Sequence, residues 1–228
     1  MAEMLPRCAR LFAIVVAANA IPGGLAESAP VVQRVVHGAS YLNLPVSPGQ
    51  LVEIQGTDLS LEFKVDYSNP RPTIILSTRV LFDGAPGRLE YVDSEYVGVY
   101  VPYNLEGRSS VTIVVEVAGV RSNAVTVAVS LAQIGIFTDS ADGDGQAWVD
   151  NQDGSYNDDK TPAGSGEVVV IYGAGIGQTE PPGADGQEAP DSPLRRGRRN
   201  SNPLNFTCTL SSTSAGISRS CGNRLIVL

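Results

Sequence analysis

Histidine is almost absent from this sequence, which contains a single one, His37, among 228 residues. Catalysis by a Ser-His-Asp or Cys-His arrangement would have to use it, because both arrangements need an imidazole base. No G-x-S-x-G nucleophile motif lies near His37. No local sequence motif indicates the pair of catalytic carboxylates that a glycosidase uses. The sequence gives no positive sign of an enzyme, and we expect a non-catalytic protein without a cofactor.

Basic residues are also scarce. The chain has 16 Lys and Arg against 24 Asp and Glu, which gives a formal net charge of −8. Nucleic acids and anionic membranes attract clustered positive charge. The one basic cluster, at 195–199, is too short to reverse this balance. We therefore expect no nucleic-acid partner.

Long apolar runs are lacking except near the N-terminus. Arg7 and Arg10 precede an apolar stretch at 11–20, which ends in the small-residue triplet 18–20. This is the pattern of a removable signal peptide, and the stretch is shorter than the roughly 20 residues that span a bilayer. The sequence predicts a signal peptide within 1–26, cleaved after Ala20 or nearer Ala26. The mature chain would then be secreted, periplasmic or at the cell surface, with no membrane span.

Cysteine is rare, with three in the whole chain. Cys8 lies in the predicted signal, so Cys208 and Cys221 would remain after export. In an oxidising compartment they could form a disulfide that closes a short loop, which would stabilise the fold by ~3 kcal/mol. The alternative is two unpaired cysteines in an irregular tail, and the sequence favours neither.

Alternating apolar residues are abundant and predict an all-β protein. Val111, Ile113, Val115 and Val117 recur with the period of two that is typical of half-buried strands. The dipeptide 83–84 is Asp-Gly, a strong signal for a two-residue hairpin turn. Such patterns predict seven strands, at 31–41, 51–55, 74–82, 89–92, 96–101, 111–117 and 124–129. This density indicates an immunoglobulin-like β-sandwich over 31–131.

One segment of the sandwich recurs later in the chain. Residues 49–59 and 166–176 each begin with Gly, continue into an aliphatic run and reach a second Gly seven places on. The repeat predicts a second, related β module that starts at Gly166. Few residues follow it, so we expect this module, 166–194, to be incomplete. An acidic linker at 132–165, with one short strand near 147–149, would precede the module, and an irregular tail at 195–228 would follow it.

Several short motifs occur in an order that resembles a known family. They are VVHGASY (35–41), SPG (47–49), VEIQG (52–56), FDGAP (82–86), VYVPY (99–103), GIFT (135–138), NQDGS (151–155) and VIYGAGIG (170–177). The first three resemble the opening of IPT/TIG-type immunoglobulin-like domains. The others are similar to a C-terminal module of large secreted bacterial proteins. The resemblance implies a sandwich fold, an exported bacterial protein and no assigned activity.

Acidic residues of the linker are candidate calcium ligands. Ca²⁺ prefers several oxygen ligands, and carboxylates are dense at 139–159. The EF-hand pattern fails here, because Ala147 stands at its glycine position. These carboxylates could still form a weak Ca²⁺ site without EF-hand geometry. The favoured interpretation is an acidic loop that is exposed to solvent and binds no metal. The candidate ligands are Asp142, Asp144, Asp150 and Asp153.

Tyrosines around two predicted strands are candidates for a binding surface, because a tyrosine ring combines contact area with a polar tip. The alternative is that they fill the core and its rim. With no site chemistry in the sequence, we expect a structural or adhesive module that contacts a protein or a glycan, or alternatively a carbohydrate-binding module. The candidates are Tyr91, Tyr96, Tyr100 and Tyr103.

The export signal leads to a first testable prediction. Expressed with its full N-terminus in a bacterial host, the chain should appear outside the cytoplasm with its first 20 to 26 residues removed. Intact-mass measurement of the exported product would locate the cleavage site. Recovery of an uncleaved chain that begins at Met1 would contradict the interpretation.

Overall fold

The computed structural model describes residues 28–188, 195–198 and 225–227. The predicted signal peptide, Cys208, Cys221 and most of the tail lie outside these ranges. The described residues form β-strands and loops, with one 3-10 turn at Tyr103–Leu105. No helix among them is long and apolar enough to cross a membrane.

Two antiparallel sheets form a sandwich between Val31 and Ala128. Strand order in the first sheet is β1-β2-β7-β6-β3, and in the second β10-β8-β4-β5, with β9 also paired to β8. Apart from the short added strands, this is the ABED and CFG order of immunoglobulin constant domains. The strands are β1 (Val31–His37), β2 (Leu51–Thr57), β3 (Lys64–Val65), β4 (Thr78–Phe82), β5 (Ala85–Pro86), β6 (Arg88–Val92), β7 (Tyr96–Tyr100), β8 (Ser110–Val117), β9 (Val120–Arg121) and β10 (Val125–Ala128).

The predicted alternation forms the core of this sandwich. Every second residue of β8 from Val111 to Val117 is buried, and so are Val97 and Val99 on the facing sheet. Phe82 is fully buried among side chains from both sheets. Because side chains alternate between the two faces of a strand, the same pattern leaves the opposite face of each sheet available for other contacts.

Asp83 and Gly84 make the predicted hairpin turn. Their φ angles are +47° and +87°, the positive values that both central positions of a type I′ turn require. The Asp83 side chain also accepts a hydrogen bond from the backbone N–H of Thr112 at 2.8 Å. The turn is therefore attached to the neighbouring strand β8.

A smaller sheet follows the sandwich. Its central strand β13 (Val170–Ala174) pairs antiparallel with β11 (Gly135–Ile136) and β12 (Val149–Asp150). The segment 132–165, interpreted from sequence as an acidic linker, thus supplies two strands to the sheet that contains the repeat. β14 (Thr179–Glu180) pairs with β15 (Arg196–Gly197), and β16 (Leu225–Val227) pairs parallel with β13.

The repeated glycines have the same structural roles in both copies. Gly49 and Gly166, which open the copies, have φ angles of +73° and +89°. Gly56 and Gly173 each lie where the backbone of a neighbouring strand comes too close to permit a Cβ atom. A Cβ on Gly173 would lie 2.6 Å from the carbonyl oxygen of Gly135. The seven-residue spacing therefore marks a turn followed by a close strand contact.

His37 joins the sandwich to the smaller sheet. Its ring is buried at the end of β1, where Nδ1 accepts hydrogen bonds from the backbone N–H groups of Ala39 (3.0 Å) and Ser40 (3.3 Å). With Nδ1 accepting, Nε2 carries the proton and donates to the carbonyl oxygen of Gln133 at 2.9 Å. Burial lowers the pKa of His37 below its usual value of 6.5. Both the hydrogen bonds of the ring and its burial therefore favour the neutral form of His37.

This geometry predicts how stability depends on pH. The folded chain resists protonation of His37 while the unfolded chain does not, so the free energy of unfolding should fall as the pH drops below 6.5. His37 is the single histidine, so its NMR titration is unambiguous. A His37→Gln variant, which cannot titrate there, should lose this part of the pH dependence. A measured pKa of 6.5 or higher would contradict the buried neutral form.

Candidate functional site

A cleft of about 630 Å³ lies between the outer face of the β1-β2-β7-β6-β3 sheet and the smaller sheet. This volume is within the range of small-ligand sites, about 300–1,000 Å³. The chain has one Trp, eight Tyr and five Phe, and seven of these fourteen residues line the cleft. The aromatic lining residues are Tyr41, Tyr91, Tyr100, Phe137, Trp148, Tyr156 and Tyr172.

Tyr91 and Tyr100 form the wall contributed by the sandwich. The Tyr91 hydroxyl donates to Glu53 Oε2 at 2.6 Å, and the Tyr100 hydroxyl donates to Glu90 Oε2 at 2.7 Å. Burial, more than these carboxylates, raises the pKa of both phenols. Both phenols therefore keep their protons and act as hydrogen-bond donors to the carboxylates.

A β-bulge in β6 directs two consecutive side chains into the cleft. The pairing between β6 and β7 shifts register between Leu89 and Tyr91, so Glu90 is an extra residue in the ladder. Leu89 and Val92 remain buried in the core, while Glu90 and Tyr91 both line the cleft. An ordinary strand would place only one of two neighbours on this face.

Gly98 makes room for the Tyr91 ring. The two residues are directly opposite each other on β7 and β6. A Cβ on Gly98 would lie 2.6 Å from Cδ1 of Tyr91, well inside van der Waals contact. The absence of a side chain thus allows the ring to lie flat across the neighbouring strand.

The opposite wall comes from the smaller sheet and the segment before it. The rings of Phe137 and Trp148 stack with their centroids 5.6 Å apart. The Tyr172 hydroxyl donates to Asp150 Oδ2 at 2.7 Å. The side chain of Trp148 is exposed on the cleft surface, and it is the only tryptophan of the chain. This wall therefore repeats the combination of aromatic rings and tyrosine–carboxylate pairs.

Two of the four tyrosines predicted as a surface lie elsewhere. Tyr96 is exposed at the start of β7 and does not line the cleft. The Tyr103 ring is so close to Gly49 and Gly183 that neither could carry a Cβ atom. The backbone N–H of Tyr103 donates to Asp185 Oδ1 at 2.9 Å. Tyr103 thus fixes the segment after β14 against the sandwich.

The four candidate calcium ligands do not converge. Asp150 is paired with Tyr172 in the cleft, whereas Asp142 and Asp153 cap local turns, and Asp144 lies in the first of these turns, where its backbone N–H donates to Asp142 Oδ1 at 2.8 Å. Hydrogen bonds from the Ser140 and Ser155 hydroxyls are the main cause that lowers the pKa of Asp142 and Asp153, respectively. Within 28–188 and the two short described segments, no group of three or more His, Cys, Asp or Glu residues could hold a metal ion.

Comparison with known proteins adds nothing to this geometry. The sequence matches no protein-family model and no curated protein. The features of the chain that bear on function are therefore the cleft, its aromatic walls and the carboxylates that accept from its tyrosines.

The contact between Gly98 and Tyr91 can be tested by a double-mutant cycle. Gly98→Ala should destabilise the protein by about 1–3 kcal/mol, because the new methyl group displaces the ring. In a Tyr91→Ala background the same change should lower the free energy of unfolding by less than about 0.5 kcal/mol, because the Tyr91 ring is no longer there to be displaced. Urea unfolding of the four proteins gives the coupling. Equal costs in both backgrounds would show that the ring does not lie over Gly98.

Proposed function

We propose that this chain is an exported, non-catalytic immunoglobulin-like module that adheres to its target by binding carbohydrate in the aromatic cleft. The observation that carries the proposal is the concentration of seven aromatic side chains and two carboxylates, Glu90 and Asp150, around one cleft. Export and the IPT/TIG-type relationship rest on the sequence motifs at 1–26 and 35–56.

The chemistry of the walls suits a sugar. A pyranose ring has apolar C–H faces and a rim of hydroxyl groups. Rings such as Trp148 and Tyr100 offer flat apolar area to the faces, and each keeps a polar edge for the rim. The free lone pairs of Glu90 and Asp150 can accept charge-assisted hydrogen bonds from sugar hydroxyls.

The same contacts favour binding over catalysis. Glu90 and Asp150 already accept hydrogen bonds from Tyr100 and Tyr172, which hold both carboxylates in fixed positions. His37 is enclosed at the junction and uses both ring nitrogens in hydrogen bonds to the backbone. A site of fixed acceptors and rigid rings is suited to recognition, because little conformational entropy is lost when a ligand binds.

A glycan array followed by calorimetry tests this function. The protein should bind a defined set of glycans, and Tyr100→Ala should weaken that binding at least about tenfold, as the loss of a central aromatic contact does. The matched control is Tyr96→Ala, the same substitution on the same strand but outside the cleft, which should leave affinity within about twofold.

Thermal unfolding of both variants would show that each still folds. An array without reproducible glycan binding would contradict the proposal. Equal losses of affinity in Tyr100→Ala and Tyr96→Ala would place any binding site away from the cleft.

A further inference from the structure

Four tyrosine hydroxyls around the cleft donate their protons to carboxylates. Each hydroxyl carries one proton, so a tyrosine bonded in this way can only accept a hydrogen bond from a ligand. The pairs are Tyr91 with Glu53 (2.6 Å), Tyr100 with Glu90 (2.7 Å), Tyr172 with Asp150 (2.7 Å) and Tyr156 with Asp139 (2.9 Å).

These pairs give the cleft a polar surface made mostly of acceptors. Lone pairs remain on the carboxylates and on the phenol oxygens, of which that of Tyr100 also accepts from Arg71, while the phenol protons are already used. Trp148 and Tyr41 each retain one N–H or O–H group as a donor on the lining. A ligand that fits this surface must bring several donors of its own.

The cleft also carries negative charge without a cation on its lining. Glu90 and Asp150 face it directly, and Glu53 lies behind Tyr91. None of the described lining residues is Lys, Arg or His. Among the described residues, Arg71 pairs with Glu90 from behind the lining: its Nη2 lies 3.9 Å from Glu90 Oε1 and 3.8 Å from Glu188 Oε1, and its side chain also hydrogen-bonds the Tyr100 phenol. It faces two carboxylates, so negative charge remains in excess.

Aromatic faces beside carboxylates attract cations. The electron-rich face of Trp or Tyr attracts an ammonium group, and this attraction strengthens when water is partly excluded. Donation of a phenol proton to a carboxylate adds electron density to the ring. An ammonium group placed between Trp148 and Asp150 would gain from both the ring and the charge.

We propose that the carbohydrate bound in this cleft is cationic, a polymer of amino sugars such as glucosamine with free amines. This inference rests on the proposed function and specifies its ligand. The ammonium group supplies positive charge and three donors, and the sugar hydroxyls supply further donors to the acceptor surface. An N-acetylated sugar lacks the charge, and a uronic acid would be repelled.

Isothermal titration calorimetry with matched ligands tests whether the positive charge of the ligand contributes to its affinity. The probes are a β-1,4-linked glucosamine tetramer, its fully N-acetylated counterpart and a neutral β-1,4-linked glucose tetramer. The glucosamine tetramer should bind at least about tenfold more tightly than the other two, and this preference should shrink at high salt.

A charge-neutral variant separates recognition from folding. In Asp150→Asn the amide oxygen can still accept from Tyr172, so the wall should persist while its charge is lost. The variant should bind the glucosamine tetramer about tenfold more weakly and should bind the N-acetylated tetramer almost unchanged. Asp159→Asn, the same substitution at an exposed residue of the acidic segment outside the cleft, is the control and should leave both affinities unchanged.

The outcomes distinguish this inference from the function on which it rests. Equal or tighter binding of the N-acetylated or glucose tetramer would overturn the cationic ligand and leave carbohydrate binding intact. Binding of none of the three tetramers, together with an empty glycan array, would overturn both. A preference for glucosamine that survives unchanged in Asp150→Asn would also overturn the inference, because the preference would arise elsewhere.

Discussion

The cleft depends on the attachment of a small sheet to the outer face of a sandwich, and the neutral, buried ring of His37 is central to that attachment, together with the Ser47 hydroxyl, which donates to the carbonyl oxygen of Gly175. The ring leaves no space for a side chain on Gly135, whose Cβ would lie 2.8 Å from Nδ1, and at Gly175 a Cβ would collide with the carbonyl group of Gln133, to which Nε2 donates. Glycines in β11 and directly after β13 thus allow the smaller sheet to approach the imidazole closely. The walls then face each other at a distance that one small ligand can fill.

The sandwich was predictable because its strands are long enough to show a period. The alternation in β8 and the Asp83–Gly84 turn identified elements whose burial and φ angles follow the predicted pattern. The strands β11 and β12 have two residues each, too few for any alternation to be recognised. Their surroundings are rich in Asp, Gly and Ser, so composition indicated a linker where the structure has part of a sheet.

The site was predictable only in part. Of the four tyrosines predicted as a contact surface, Tyr91 and Tyr100 line the cleft, but Tyr96 lies four residues before Tyr100 on the same face of β7, which is about 13 Å along a strand. Trp148 and Tyr172, on the opposite wall, are distant in sequence, and only tertiary packing brings them near. Local sequence patterns do not show which residues that are distant in sequence will face each other across a cleft.

The bulge at Glu90 changes the outer face of β6 without changing its core face. If Glu90 were removed, the strand would run Leu89, Tyr91, Val92, a regular inward-outward-inward order that retains both core side chains. A chain one residue shorter would therefore have the simpler ladder and the same hydrophobic interior. The extra residue supplies the carboxylate that accepts from Tyr100 and faces Arg71, and its backbone carbonyl accepts from the N–H of Asp66. Here an irregularity in the ladder leaves the core unchanged and places a second polar side chain on the cleft face of the strand.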